Sequence, residues 1–597
     1  METQLVRLCL EAASESKDAV ERWRRQRRSL QSLPSPLADD LLRRLHLRRL
    51  LYPSLLEVFK LSVEVVDLRG DNAVDAEWLA YLGAFRYLRY LNLADCHRIT
   101  SSAIWALSGI SNLRELDLSR CAKFNDAGIR HLLSISTLEI LRFSETGVTA
   151  NGVALLSSLR NLSVLDLGGL PVTDDVLTSL QVLTKLEYLD LWGSNISNKG
   201  VDVLRLFPKL SFLSIGWTNV TRLPSMPSLE SLNLSNCTIE SILKGDGDKA
   251  PLTKLILSGA NFSNEAEAFA NVEPSFLSFL DVSNSSIQGF YFLLDMKMLK
   301  YLDLSRSMMG DDSVEAVAFI GANLINLNLS KTRVTSAGIA IFAQHVPKLE
   351  YLSLSHALID DLALSYIGLI SSLKAVDLSN TKIKGYIHRD EETKLTLSLE
   401  ALQGLSNLQS LNLEHTQISD AALAPVSSFQ NLIHLSLRSV SLTDGTLHHL
   451  SSLSSKLTNL VVCDAVLTNC GLDLFRPPVA LKMLDLRGCW LLTKEVISSF
   501  CAKHPAIELK HELVGMSMPD QSNPYRPSPL RMLSGHSQMS RKQGKMPVSS
   551  AMPLHFIDQR LKYSREELLA LQYKSVSLDP QERGLAMPEM HCDEEKD

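Results

Sequence analysis

Leu88-Arg-Tyr-Leu91-Asn-Leu93-Ala-Asp-Cys96 sets out the pattern on which the whole architecture rests. Its spacing returns in Leu113-Arg-Glu-Leu116-Asp-Leu118-Ser-Arg-Cys121. The first leucine then recurs at 138, 162, 186, 210, 229, 252, 277, 299, 324, 349, 373, 408, 432, 457 and 481, about seventeen copies in all, mostly 24 or 25 residues apart. A weaker copy, Val65-Val-Asp-Leu68-Arg, precedes them. In each, x-Leu-x-Leu-x alternates with period two, so the leucines point to one face of a short strand. One copy cannot bury that face alone, but successive copies stacked as parallel strands can. The Asn, Cys, Thr or Ser that closes the pattern turns the chain inward, where it can bond to backbone.

A second signature follows the strand: Val172-Thr-Asp-Asp, Ile418-Ser-Asp-Ala and Leu442-Thr-Asp-Gly. Here Ser, Thr or Asp can cap a helix that forms an outer layer. The expected class is therefore α/β, a solenoid with strands inside and helices outside. Helices are wider than strands are spaced, so the strand-lined face should be concave. The pattern resembles the intracellular leucine-rich repeats of ribonuclease-inhibitor and F-box-associated type, and the resemblance implies a horseshoe over roughly residues 60 to 505. Copies near 220–300 are irregular. A longer insertion between the copies at 373 and 408 carries Lys384-Gly-Tyr-Ile-His-Arg-Asp-Glu-Glu-Thr-Lys394, read as a protruding loop.

The 597 residues would ordinarily mean several domains, but one solenoid can run to any length. Hydrophobic residues make up 45% of the chain, enough to bury a core through most of it. A net charge of −6 at this size points neither to bulk nucleic-acid binding nor to an acidic halo. Nine Cys with no CxxC or His/Cys cluster argue against a metal site. Cys96, Cys121, Cys237 and Cys489 occupy equivalent repeat positions and read as packing residues. Sequons such as Asn233-Leu-Ser are by-products of the repeat. No secretory signal and no apolar span of about 18 to 20 residues is visible, which places the expected chain in the cytoplasm, with the nucleus also open, and off the membrane. There is no HExxH, no Gly-x-Ser-x-Gly and no phosphate loop, so neither an enzyme nor a cofactor is expected.

Residues 1–60 are helical in pattern and are not repeats. Leu5, Cys9 and Ala13 are four apart and share one helix face. Arg22-Trp-Arg-Arg-Gln-Arg-Arg28, Arg43-Arg44 and Arg48-Arg49 are basic, and between them Leu33-Pro-Ser-Pro-Leu37-Ala-Asp-Asp-Leu41-Leu42 starts a helix with proline. One Trp among the arginines is no stacking platform, and sequence-specific nucleic-acid binding is not expected. Two readings stay open: a cap that closes the end of the solenoid, or an adaptor site. Leu5-x-x-x-Cys9-x-x-x-Ala13 is similar to the elongin-C-binding box of cullin ligase receptors, except that Gln4 stands where that box has a small residue. The Leu-Pro segment resembles the next element of such receptors and an F-box start.

The solenoid is expected over 61–512. Residues 513–553, rich in Pro, Ser, Met and Gln, read as a disordered linker. A helix signal follows within 554–575: Tyr563-Ser-Arg-Glu-Glu-Leu568-Leu569-Ala-Leu-Gln572. Ser564 suits the N-cap and Glu567 closes a capping box, while Tyr563 and Leu568 are placed as a hydrophobic staple. An isolated helix this short is marginal in water and should form on a partner. Residues 576–597 read as a further disordered tail. The pattern Tyr-x-x-x-x-Leu-Leu resembles the motif that binds eukaryotic initiation factor 4E in initiation factor 4G and in translational repressors. Tyr563, Leu568 and Leu569 match it, and Gln572 matches its extended form. The whole layout resembles plant leucine-rich-repeat translation factors that bind 4E outside the 4G family. That resemblance implies a scaffold whose array recruits other factors, with initiation factors 4A and 3 and poly(A)-binding protein as candidates. The alternative is a substrate receptor of a cullin–RING ubiquitin ligase that holds elongin C or a related adaptor.

Overall fold

The computed structural model describes residues 4–25, 33–245, 249–388, 395–451 and 456–514. The stretches read as linker, 4E-type helix and tail lie outside the described residues from 515 onward. The chain divides into two compact units, residues 1–358 and 359–597.

In the first unit, among the described residues, thirteen strands of three residues each run from Val65–Asp67 to Tyr351–Ser353 and form one parallel sheet in chain order. The register is constant. Val66 faces Leu91, Leu91 faces Leu116, and the column continues through Leu141, Leu165, Leu189 and Leu213. Each of these side chains is buried, and burying one leucine stabilises by about 1.5–3 kcal/mol. Backbone bonding repeats at each step. The carbonyl before one strand accepts two successive N–H groups of the next copy, as Glu64 does from Arg89 at 2.8 Å and Tyr90 at 3.1 Å.

The first strand has no earlier copy to bond, and the N-terminal helices supply one. Helix α1 is Gln4–Ala13, α2 is Lys17–Arg24 and α3 is Ser35–Leu47. On α3, Asp39 accepts the N–H groups of Glu64 (2.9 Å) and Val65 (3.2 Å), the bonds that a preceding carbonyl makes elsewhere. Leu41, Leu42 and Leu45 of α3 are buried beside it, and His46 bonds Asp71 at 3.0 Å. Among the described residues, several of the arginines read as basic groups are structural. Arg44 pairs with the buried Asp40, Arg48 donates to the carbonyl of Ser14 at 2.8 Å, and Arg24 lies over the Tyr52 ring, 5.3 Å from its centroid.

The second unit holds six parallel strands from Ala375–Asp377 to Glu508–Lys510 among its described residues. One strand in from the last described strand, Gly488 donates its N–H to the Glu512 carboxylate (3.0 Å), where inner copies use a backbone carbonyl. His511 fills the position of a repeat leucine and is buried. The insertion is not simply a loop. Tyr386–His388 pairs antiparallel with Leu395–Leu397, and residues 389–394 lie outside the described residues. Its base is clamped by the buried Asp361, which accepts from the N–H of Gly385 (2.7 Å) and the hydroxyl of Ser398 (2.6 Å).

The outer layer departs from uniform helices. It mixes one- and two-turn α-helices with 3-10 turns, and Asp420–Ser428 is 3-10 with Pro425 inside it, where an N–H is missing. The short copy that begins at Leu210 carries an outer strand, Arg222–Pro224, paired parallel with Ser241–Lys244. A strand climbs further per residue than a helix, so fewer residues complete the copy.

The Thr/Ser-Asp signature also does more than cap. Thr173 and Ser419 make no side-chain cap bond, whereas Ser197, Thr335, Thr443 and Thr468 do. The aspartate after the cap reaches instead to the cap residue of the next copy. Asp126 accepts both the N–H and the hydroxyl of Thr149 (2.8 and 2.6 Å). Asp174 does the same for Ser197 (2.8 and 2.7 Å) and Asp444 for Thr468. Inside, the packing cysteines take a similar part. Cys96 and Cys121 are buried and donate to the carbonyls of Leu68 and Leu93 in the preceding copy, both at 3.2 Å. Burial pushes their thiols up, to about 12 and about 11, so they stay protonated and unreactive.

The Asp174 carboxylate that reaches Ser197 leaves no room at one helical position. A Cβ on Gly200 would lie 2.3 Å from Asp174 Oδ1. Alanine ordinarily improves a helix over glycine by about 1 kcal/mol. Gly200→Ala is expected to do the opposite and destabilise by about 1–3 kcal/mol, while Gly109→Ala, which meets nothing within 4 Å, leaves the thermal midpoint unchanged or slightly raised.

Candidate functional site

The sequence proposed two sites. Tyr563, Ser564, Glu567, Leu568, Leu569 and Gln572 lie outside the described residues. Leu5, Cys9 and Ala13 lie on α1, whose Leu10 is its buried contact. Leu5 is 69% exposed and the neighbouring Leu8 50% exposed. Cys9 is exposed. Ala13 is half-buried, and its carbonyl accepts the Trp23 indole N–H at 2.8 Å. The structure thus leaves Leu5 and Cys9 in solvent and draws Ala13 towards α2.

A third surface, which sequence reading did not resolve into residues, is the strand-lined face of the first unit. Two rows of side chains stand on it, set by the strand register. One row runs Ile140, Val164, Tyr188, Phe212, Ser231, Lys254, Phe279, Tyr301. The other runs Arg142, Asp166, Asp190, Ser214, Asn233, Ile256, Asp281, Asp303. In the first row Tyr188 stacks on Phe212 with centroids 4.0 Å apart and planes 4° from parallel. Phe279 stacks on Tyr301 at 4.1 Å and 2°. Lys254 Nζ lies 4.7 Å from the Phe279 centroid.

The second row has a structural task. Each Asp or Asn accepts the N–H two residues on and so fixes the turn that leaves the strand, as Asp166 does for Gly168 and Asp190 for Trp192, both at 3.0 Å. Asn92, Asn233 and Asn328 make the same bond. One neutral oxygen is therefore enough for the turn, and the fold does not require the charge. Trp192 crowds the rim of this row: a Cβ on Gly168 would meet its Nε1 at 2.2 Å, so glycine there admits the indole.

Charge on the row is costly at its centre. Burial pushes the Asp190 carboxyl up to about 6, and the like charge of Asp166 on the adjoining strand adds to the effect. Burial raises Asp166 as well. In the turns after strands Tyr90–Asn92 and Glu115–Asp117 the pairing is complete: the Arg120 guanidinium bonded to Asp95 holds that carboxyl at about 2. Arg142 is engaged by Glu115, and among the described residues neither Asp166 nor Asp190 has an ion-pair partner. No group of three or more His, Cys, Asp or Glu among the described residues is placed to hold a metal ion.

The three-residue strands, the leucine column and the inward-turned Cys and Thr positions together settle the architecture. This is a leucine-rich-repeat solenoid. Residues 109–133 and 404–427 match the Leucine Rich repeat family. No curated protein sequence matches the chain. Among solved structures it is similar to an internalin, inlF, of Listeria monocytogenes, at 20% identity over 61% of this chain and 94% of that one, with a TM-score of 0.40. It is also similar to a leucine-rich-repeat protein of Leptospira interrogans (16% identity, 74% and 95% covered, TM-score 0.36). The mouse RP105/MD-1 complex gives 18% identity over 75% of this chain and 89% of that chain, with a TM-score of 0.43. No helix among the described residues of the solenoid is long and apolar enough to cross a membrane.

Asp190 binds its proton more tightly folded than unfolded, where an aspartate titrates near about 3.9. The solenoid should therefore gain stability as pH falls from about 7 through about 6 towards 4. Asp190→Asn keeps the turn acceptor and removes that dependence. It is expected to stabilise the fold at pH 7 by on the order of 1–2 kcal/mol, with the gain gone by about pH 4, as read by thermal melts across the range.

Proposed function

We propose that this chain is a non-enzymatic scaffold that binds initiation factor 4E through Tyr563, Leu568 and Leu569 and presents its solenoid to further proteins. Such a role is that of the CERES type of plant leucine-rich-repeat translation factor. The observation that carries the scaffold part is the strand-lined face, a broad ordered surface whose side chains exceed what the turns beneath them need. The 4E part is carried by the sequence after the last described strand, Glu508–Lys510, where the repeat pattern ends and the Tyr-x-x-x-x-Leu-Leu motif stands with its own capping box. In this reading Tyr563 and the leucine pair occupy the dorsal surface of 4E and leave its cap pocket free. Initiation factors 4A and 3 and poly(A)-binding protein are then the partners to seek on the solenoid. Tyr563→Ala combined with Leu568→Ala is expected to reduce retention of the full chain on a cap-analogue column with 4E by at least about tenfold. Unchanged retention removes 4E from the proposal and leaves the scaffold.

One observation favours a second reading. Leu5, Leu8 and Cys9 form an exposed apolar strip on a helix that is otherwise anchored by Leu10, Ser14 and Arg48. A cap alone has no need of apolar residues on its solvent side. An adaptor such as elongin C would cover them and make the chain a substrate receptor of a cullin–RING ligase. Leu5→Ala with Cys9→Ala is then expected to abolish co-purification of elongin C and cullin while leaving the thermal midpoint within about 1 °C. Equal adaptor recovery from both proteins excludes this reading.

A further inference from the structure

The two aromatic pairs on the strand-lined face are built alike but finished differently. In the second, three neighbouring strands carry Lys254, Phe279 and Tyr301 in register. The lysine covers the outer face of the stacked rings, 4.7 Å from the Phe279 centroid, and stands beside Asp281. In the first, the corresponding strands carry Val164, Tyr188 and Phe212. Phe212 covers one face of Tyr188. On its other side the register places Val164, a shorter side chain that brings no charge. Asp190 stands where Asp281 does, and Asp166 adds a second carboxylate one strand away. Their hydrogen-bond donors are neutral: backbone N–H groups at Gly168 and Trp192, the hydroxyl of Ser144 at 3.2 Å from Asp166, and the hydroxyl of Ser214 on Asp190. The Arg142 charge acts on Asp166 from the adjoining strand without an ion pair.

The chain therefore contains, at one place, a cation resting on an aromatic pair beside an aspartate and, at another, the same arrangement with no cation seated on the rings; Arg142, in register beside Asp166, is hydrogen-bonded to Glu115. We infer that the slot over Tyr188, walled by Val164, Asp166 and Asp190, docks an arginine side chain of an extended basic segment in a partner protein. Arginine suits it better than lysine. A planar guanidinium can continue the Tyr188–Phe212 stack and at the same time bond carboxylates on two adjoining strands, which lie about 4.8 Å apart. A lysine ammonium can satisfy one carboxylate or the ring, as Lys254 does. This deepens the scaffold reading by giving the chemistry of one partner, and it does not depend on 4E or on an adaptor.

The test uses the full chain and a short fluorescein-labelled Gly–Ser peptide with two arginines, alongside its lysine and citrulline counterparts, in fluorescence anisotropy. The arginine peptide is expected to bind at least about tenfold more tightly than the citrulline one, with lysine between them. Val164→Lys, which copies the Lys254 arrangement in place, is expected to weaken arginine-peptide binding at least about tenfold, and Asp190→Asn to do the same. Asp303→Asn, on the same row but at the filled pair, should change it less than about twofold. Circular dichroism melts at or above the wild-type midpoint for Val164→Lys and Asp190→Asn show that any loss is not misfolding. Equal affinity for the arginine and citrulline peptides, or undiminished binding by Val164→Lys, overturns the slot. Equal weakening by Asp303→Asn reduces it to general electrostatic attraction and overturns it as well. Loss of the slot with scaffold partners still captured leaves the broader proposal standing.

Discussion

A strand of three residues with one central leucine has no core of its own. Val66, Leu91, Leu116 and their successors become buried only because the neighbouring copy lies in register against them. Each copy is thus unstable alone and stable in the stack, and the energy resides in the interfaces. Everything else in the solenoid follows from keeping that register. The double N–H acceptance by the carbonyl before each strand fixes it along the backbone. The aspartate that reaches forward to the next cap residue fixes it on the outer side. The cysteine thiol that reaches back to a preceding carbonyl fixes it inside.

The same dependence creates a problem wherever copies stop. An exposed strand edge offers unpaired N–H groups and invites association. At the first strand one carboxylate answers it: Asp39, not a repeat residue, imitates the missing carbonyl before the first copy. Beside the last described strand, the Glu512 carboxylate takes the Gly488 N–H where inner copies use a backbone carbonyl. The buried side of the N-terminal helices is therefore occupied by capping, which makes the exposure of Leu5, Leu8 and Cys9 on the opposite side the more informative feature.

On the strand-lined face the structural and functional demands separate. The turn after each strand needs one oxygen, and asparagine supplies it at Asn92, Asn233 and Asn328. Aspartate at 166 and 190 supplies it too, but places two like charges on adjoining strands in poorly hydrated surroundings. Asp281 and Asp303 fill the same turn position on other strands, so what sets 166 and 190 apart is their adjacency beside an aromatic pair. Lys254 beside Phe279 shows the kind of group that such a position accommodates.

The repeat was legible in the residues alone, because a period-two leucine pattern returning every 24 or 25 residues buries its leucines only by stacking on the next copy. So were the inward positions of Cys96, Cys121, Cys237 and Cys489, since each follows its leucines at a fixed offset. Spacing marked Leu5 and Cys9 as one helix face, and Tyr563, Leu568 and Leu569 as a motif beyond the repeats. The remaining contacts came only with stacking. Thr173-Asp174 looks like a cap locally, yet Asp174 bonds Ser197, because a carboxylate can reach a neighbour that only stacking brings near. The arginines of the N-terminus look like a free basic surface, yet Arg24, Arg44 and Arg48 are tied to Tyr52, Asp40 and Ser14. Tyr188 and Phe212 stand 24 positions apart and become a stack only in register. Local periodicity fixes which way a side chain points, and only the assembled sheet fixes what it meets there.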